Sequence, residues 1–122
     1  MIGSLSKKSK IALDAQAIST FIAEGAIIDG SIKAPGVARL DGQVTGDVSI
    51  TEGLILGEKG TIAGNVTTKD MVVHGRVNGD INVKSLEIKS TGYITGEIKT
   101  GSLLVETGAV YNGTLSMSQD NK

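Results

Sequence analysis

The chain has 122 residues, the size of one domain, with 17 glycines, one proline, two tyrosines, one phenylalanine and no cysteine. Without cysteine there is no disulfide framework and no thiolate metal cluster, and a reducing compartment follows. The net charge of −1 is split between a basic start and an acidic body, which argues against a nucleic-acid groove with its clustered Lys and Arg.

Residues 1–19 read as a flexible tail of charge +2, from Lys7, Lys8 and Lys10 against Asp14. Met1, Ile2 and Leu5 form a small apolar group ahead of the lysines. Asp14 and Gln16 interrupt the next apolar stretch, so a secretory signal is not expected, and no run approaches the ~20 residues of a membrane span. Three lysines near an anionic leaflet contribute roughly 1 kcal/mol each, and shallow insertion of the aliphatics adds a similar total. That is marginal for one chain and firm for many copies displayed together. Two other readings stay open: a solvated leader, or a lid folded back over the first repeat, with Ile11, Ala15 and Ile18 at helical spacing.

From residue 20 the chain repeats itself. GQVTGDVSI at Gly42–Ile50 returns as GRVNGDINV at Gly75–Val83, and the second glycine of each phrase falls at Gly30, Gly46, Gly64, Gly79, Gly96 and Gly113. Two residues beyond each stands an apolar side chain: Ile32, Val48, Val66, Ile81, Ile98 and Leu115. Val44, Ile62, Val77, Ile94 and Val110 follow the leading glycines by two. Mid-repeat pairs come at Leu54 and Leu56, Met71 and Val73, Leu86 and Ile88, Leu103 and Val105. Each unit therefore holds three short alternations of period two, which is strand patterning.

Asn78-Gly79 and Asn112-Gly113 suit hairpin turns, but Thr45-Gly46, Ala63-Gly64 and Thr95-Gly96 occupy equivalent positions and make poor ones. Alternation also runs straight through these glycines, as at corners where a side chain has no room. Three short walls per repeat of 15 to 18 residues predict an all-β fold, a three-sided parallel β-solenoid of about six coils. At ~4.8 Å per coil the rod is roughly 29 Å long. The inward stack is expected to include Ile32, Val48, Val66, Ile81 and Ile98.

Inner coils saturate their hydrogen bonds above and below, whereas the first and last leave open edges. The chain after Leu115 is only SMSQDNK, too short for a capping helix. Phe21 and Tyr111 lie at these terminal repeats and either plug the core or anchor a stacking contact. The expected interface comprises Phe21, Ile22 and Ile27 at one end and Val110, Tyr111, Leu115 and Met117 at the other.

The opening TFIAEGAIIDGSIKAPG, the G-x-[IV]-x-G-[DNE]-[IV] phrases and the closing GAVYNGTLSM resemble the bactofilins over residues 20–117. The resemblance implies a single-stranded right-handed β-helix between flexible termini, 1–19 and 118–122. It also implies nucleotide-free, cofactor-free polymerisation in which like ends meet, whereas head-to-tail stacking is equally compatible with the residues themselves. The implied role is scaffolding of cell shape, cell-wall enzymes or chromosome positioning. The implied place is the cytoplasm, peripheral on the inner membrane face, with Met1, Ile2, Leu5, Lys7, Lys8 and Lys10 as the targeting segment. Family members often carry Phe before the closing Asn-Gly; here Tyr111 stands there, and its hydroxyl needs a partner if buried.

No enzyme is expected. LILGEKGTI at Leu54–Ile62 resembles two hexapeptides of the left-handed acyltransferases, but coils of 15, 16 and 17 break a multiple of six. The single histidine, His74, has outward parity, and the G-x-x-x-x-G-K-[ST] phosphate loop is missing. Asp47, Asp80 and Glu97, just past the corner glycines, read as a solvated wall or a docking face for a basic partner. A monomeric or low-oligomer binding module and, more remotely, an acyltransferase are the alternatives.

Overall fold

In the computed structural model, residues 18–117 are described; the predicted membrane-targeting residues Met1 to Lys10 and the tail 118–122 lie outside them. The strands form three walls. Wall A stacks β1 (Ile18–Ile22), β4 (Val37–Leu40), β7 (Gly53–Leu56), the later parts of β9 (Val66–Val73) and β11 (Ile81–Ile88), and the end of β12 (Tyr93–Val105). Wall B stacks β2 (Ile27–Asp29), β5 (Gln43–Thr45), β8 (Thr61–Ala63), β10 (Arg76–Asn78) and the starts of β12 and β13 (Val110–Met117). Wall C stacks β3 (Ile32–Ala34), β6 (Val48–Ile50), the starts of β9 and β11, the middle of β12 and the end of β13. Each pairing is parallel, and the chain forms a β-solenoid of about six turns.

Period-two alternation places one row of each wall inside. On wall C, Ile32, Val48, Val66, Ile81, Ile98 and Leu115 pair rung by rung. On wall B the inner row is Ile28, Val44, Ile62, Val77, Ile94 and Tyr111. This corrects the spacing argument at the last coil: Val110 pairs with Tyr93 and turns outward, because one extra residue after Gly108 shifts the register. On wall A, Leu54, Leu56, Met71, Val73, Leu86 and Ile88 complete a core closed by aliphatic side chains.

Two devices, one of backbone and one of side chains, hold the corner between walls B and C. Gly79 has φ of 154°, and a Cβ there would strike the carbonyl oxygen of Gly64 on the preceding coil; the glycines stack so closely that no side chain fits between them. The limiting neighbour is thus backbone of the preceding coil, not the core. Beside the glycines runs a side-chain ladder. Asn65 N–H donates to Asp47 Oδ1 at 3.2 Å, Asp80 N–H to Asn65 Oδ1 at 3.3 Å, and Glu97 N–H to Asp80 Oδ1 at 3.2 Å. The acidic row read from the sequence as a solvated wall therefore bonds consecutive coils to each other at their corner.

Candidate polymerisation interface

An inner residue is covered by the rungs on both sides, and a terminal one by a single rung. Among the described residues, the large apolar side chains left exposed are Ile18, Phe21 and Ile27 on the first coil and Val105, Val110, Leu115 and Met117 on the last. No inner coil contributes one. Within one column, Ile81 is 1% exposed and Leu115 is 40% exposed, although both face inward. The core opens at the last coil, where Val105, Tyr111, Leu115 and Met117 line its mouth.

The N-terminal end is built differently. Its mouth is lined by Ile22, Ile28, Ile32 and Ala34, all half-buried and packed on the core. Phe21 pairs with Arg39 on the outside of wall A, and Ile27, 74% exposed, pairs with Gln43 on the outside of wall B. Phe21 and Ile27 thus form an apolar rim, not a plug. β1 begins at Ile18, inside the segment read as tail, and that residue joins the rim in strand geometry. Ile18 and Val105 belong to the ends without having been expected there. Val105 was legible as the last member of the mid-repeat row, whereas Ile18 precedes the first recognisable phrase.

Tyr111 solves its polar problem locally. Its hydroxyl donates to Gly96 O at 3.0 Å and lies against Thr114 O, so the ring covers Ile94 while the oxygen stays bonded. Burial raises its pKa, with the nearby Glu97 carboxylate adding to the shift, so the phenol stays neutral at the mouth. Outside it, Arg76 lies over the Tyr93 ring at 4.7 Å and Asn112 Nδ2 donates to the Tyr93 hydroxyl at 3.2 Å. The Tyr111 and Asn112 contacts fasten the last coil to the rod, and Arg76 fastens the Tyr93 coil to the one before it.

At the corner between walls A and B, Phe21, Glu24, Arg39, Asp41, Glu58, Lys59 and His74 line an open groove. Arg39 is committed to Asp41 at 3.1 Å, and His74 is half-buried on the groove side. Among the described residues, no three His, Cys, Asp or Glu side chains converge to hold a metal ion. Among them, too, no helix is long and apolar enough to cross a membrane.

Stacked parallel rungs, with exposed apolar side chains on both terminal coils among the described residues, define a class of rod-like β-solenoids. The family model for bactofilins, described as polymer-forming cytoskeletal, matches residues 20–116, and the chain belongs to that family. It is 28% identical over 105 residues to bactofilin BacO of Myxococcus xanthus, covering 85% of this chain and 83% of that protein. A solid-state NMR structure of the cytoskeletal bactofilin BacA superposes with a TM-score of 0.75 at 33% identity, covering 81% of this chain and 95% of BacA. A cryo-EM reconstruction of Thermus thermophilus bactofilin double helical filaments superposes at 0.73 with 26% identity, covering 79% of this chain and 98% of that one. Bactofilins are structural proteins of the cytoskeleton, not enzymes.

Proposed function

We propose that this chain joins end to end, without nucleotide, into filaments that scaffold cell shape, cell-wall enzymes or chromosome positioning. One observation carries the reading: the exposed large apolar side chains of the described rod sit on its two terminal coils, beside unpaired strand edges. The Thermus thermophilus relative forms double helical filaments, which supports self-association here. We also propose that residues 1–10 bring the filament to an anionic membrane face, many weak tails acting together. Co-sedimentation with anionic liposomes at low salt, lost on charge reversal of Lys7, Lys8 and Lys10, is the expected result; liposome-independent behaviour would refute the membrane role.

Polarity is decided by single variants. Met117→Arg puts a charge at the C-terminal mouth, and Ile27→Arg puts one on the N-terminal rim. If like ends meet, each variant keeps one contact and sediments as a folded dimer. If the rods stack head to tail, either variant sediments as a monomer. Filaments from both variants would remove the terminal coils from assembly and refute the proposal.

A further inference from the structure

The corner where wall C turns into wall A changes partway along the rod. Numbering coils from the first wall A strand, two residues make this corner after coils 1 and 2: Pro35-Gly36 between Ala34 and Val37, and Thr51-Glu52 between Ile50 and Gly53. One residue makes it after coils 3, 4 and 5: Lys69, Lys84 and Gly101. Corners of one kind stack in register, Ala34 on Ile50 and Val37 on Gly53 in the first group, Thr68 on Val83 and Asp70 on Ser85 in the second. Where the two kinds meet, the register slips. Ser49 pairs with Thr67 and Gly53 with Asp70, so Ile50, Thr51 and Glu52 oppose only Thr68 and Lys69. The Thr100 hydroxyl donates to Ser102 O at 3.0 Å, whereas the Thr68 hydroxyl, in the same column, is buried with no partner among the described residues. β1 also slips against β4, between Ile18 and Thr20, but only where the chain enters the rod. The corner between walls A and B varies too, with four residues in coils 1, 3, 5 and 6 and two in coils 2 and 4. There the extra residues come in pairs and close turns of their own, as in Gly60 N–H to Gly57 O at 2.9 Å and Gly92 N–H to Lys89 O at 2.8 Å. Thr51 and Glu52 only bend the chain.

We infer that this mismatch is a seam, at which coils 1 and 2 come away together while coils 3 to 6 stay folded. A coil in a solenoid is held chiefly by its neighbours, so the rod opens at the weakest contact between two of them. The slipped ladder and the unpaired hydroxyl lie on the same contact, and a buried hydroxyl without a partner weakens it further. Asn65 N–H to Asp47 Oδ1 joins the same two coils at the corner between walls B and C, so opening begins at the corner between C and A. Ile18, Phe21 and Ile27 belong to coil 1, so the opened state loses the whole N-terminal rim. The seam lets the rod withdraw one of its two ends without unfolding the remainder. That consequence rests on the end-to-end reading above; the opening itself does not.

Three equivalent amides read the seam. Ile32 N–H donates to Asp47 O, Val48 N–H to Asn65 O and Val66 N–H to Asp80 O, each at 2.8 Å, in coils 1, 2 and 3. Hydrogen exchange of the full chain in dilute solution should show Ile32 and Val48 exchanging at a common rate, at least about tenfold faster than Val66. Rates graded from Ile32 through Val48 to Val66 would mean simple fraying from the end, and one rate for all three would mean no separate opening. Either overturns the inference. Filament assembly is not read here, so a failure of the end-to-end reading leaves these outcomes unchanged. Deleting Thr51 gives coil 2 the one-residue corner and moves the mismatch to between coils 1 and 2. Val48 should then slow to the rate of Val66 while Ile32 stays fast, and an unmoved boundary overturns the inference. Should that deletion fail to fold, Thr68→Val removes the unpaired hydroxyl in place and should slow Ile32 and Val48 several-fold; unchanged rates overturn the inference too.

Discussion

Ile81 and Leu115 occupy the same column of wall C, point the same way and are both branched aliphatics, yet one is sealed and the other is open. The difference comes from the rung that would stack on each. A solenoid makes its core from neighbouring coils, so the same side chain contributes to folding in the middle and to association at an end. The contrast extends to the polar groups. The Asp47–Asn65–Asp80 ladder links inner coils, whereas the last coil is held by Tyr111 and the Tyr93–Asn112 pair.

The largest expected effect tests the sealed half of that comparison. Ile81→Asp buries a carboxylate among aliphatics, a cost of several kcal/mol against the ~5–15 kcal/mol that holds a domain folded. The expected outcome is loss of the β-sheet circular dichroism signal at room temperature. A soluble Ile81→Asp variant with unchanged melting would place Ile81 outside the core.

A smaller effect separates inner from terminal glycines. Gly79 and Gly30 both have left-handed φ, at 154° and 137°, so alanine at either position carries strain of about 1–3 kcal/mol. Only at Gly79 must the backbone of the preceding coil also move; a Cβ on Gly30 meets nothing within 4 Å. Thermal melts should therefore show Gly79→Ala losing distinctly more than Gly30→Ala, which falls by roughly 4–20 °C at most. Equal losses would mean that glycine stacking does not limit the corner.

The smallest effect concerns wall A. Burial raises the Asp70 carboxyl above its ordinary value, helped by the neighbouring Glu52 and opposed by Lys69 and Lys84. The folded chain then holds its proton more tightly than the unfolded chain does, so stability declines as pH rises from the ordinary carboxylate range through the raised value. Asp70→Asn should be slightly more stable than the parent at pH 7 and equal to it once Asp70 is protonated. A less stable variant at pH 7 would show the charged carboxylate to be stabilising.

Walls B and C were legible because their strands alternate, as in Val44 and Thr45 or Val66 and Thr67, and alternation reports which face is inside. Wall A was legible only on its inner face. Leu54 and Leu56 stand out as an inward pair, but the Ile55 between them and the Met71-Val72-Val73 run carry a second message: apolar residues on both faces. The register slip at Val110 was hidden for another reason. Counting from Gly108 treats the last coil like the inner ones, although its glycines stand one residue further apart. Which end residues line the core mouth and which form the rim depends on that register, and so needed coordinates.

The most direct test moves the Ile81 substitution to the end of its own column. Leu115→Asp should leave the circular dichroism spectrum and melting close to those of the parent, because one face of this residue is already open. Negative-stain microscopy of the same sample, without nucleotide, should show no long filaments. Long filaments from folded Leu115→Asp, indistinguishable from those of the unmodified chain, would contradict the claim that inner coils fold the rod and terminal coils join it.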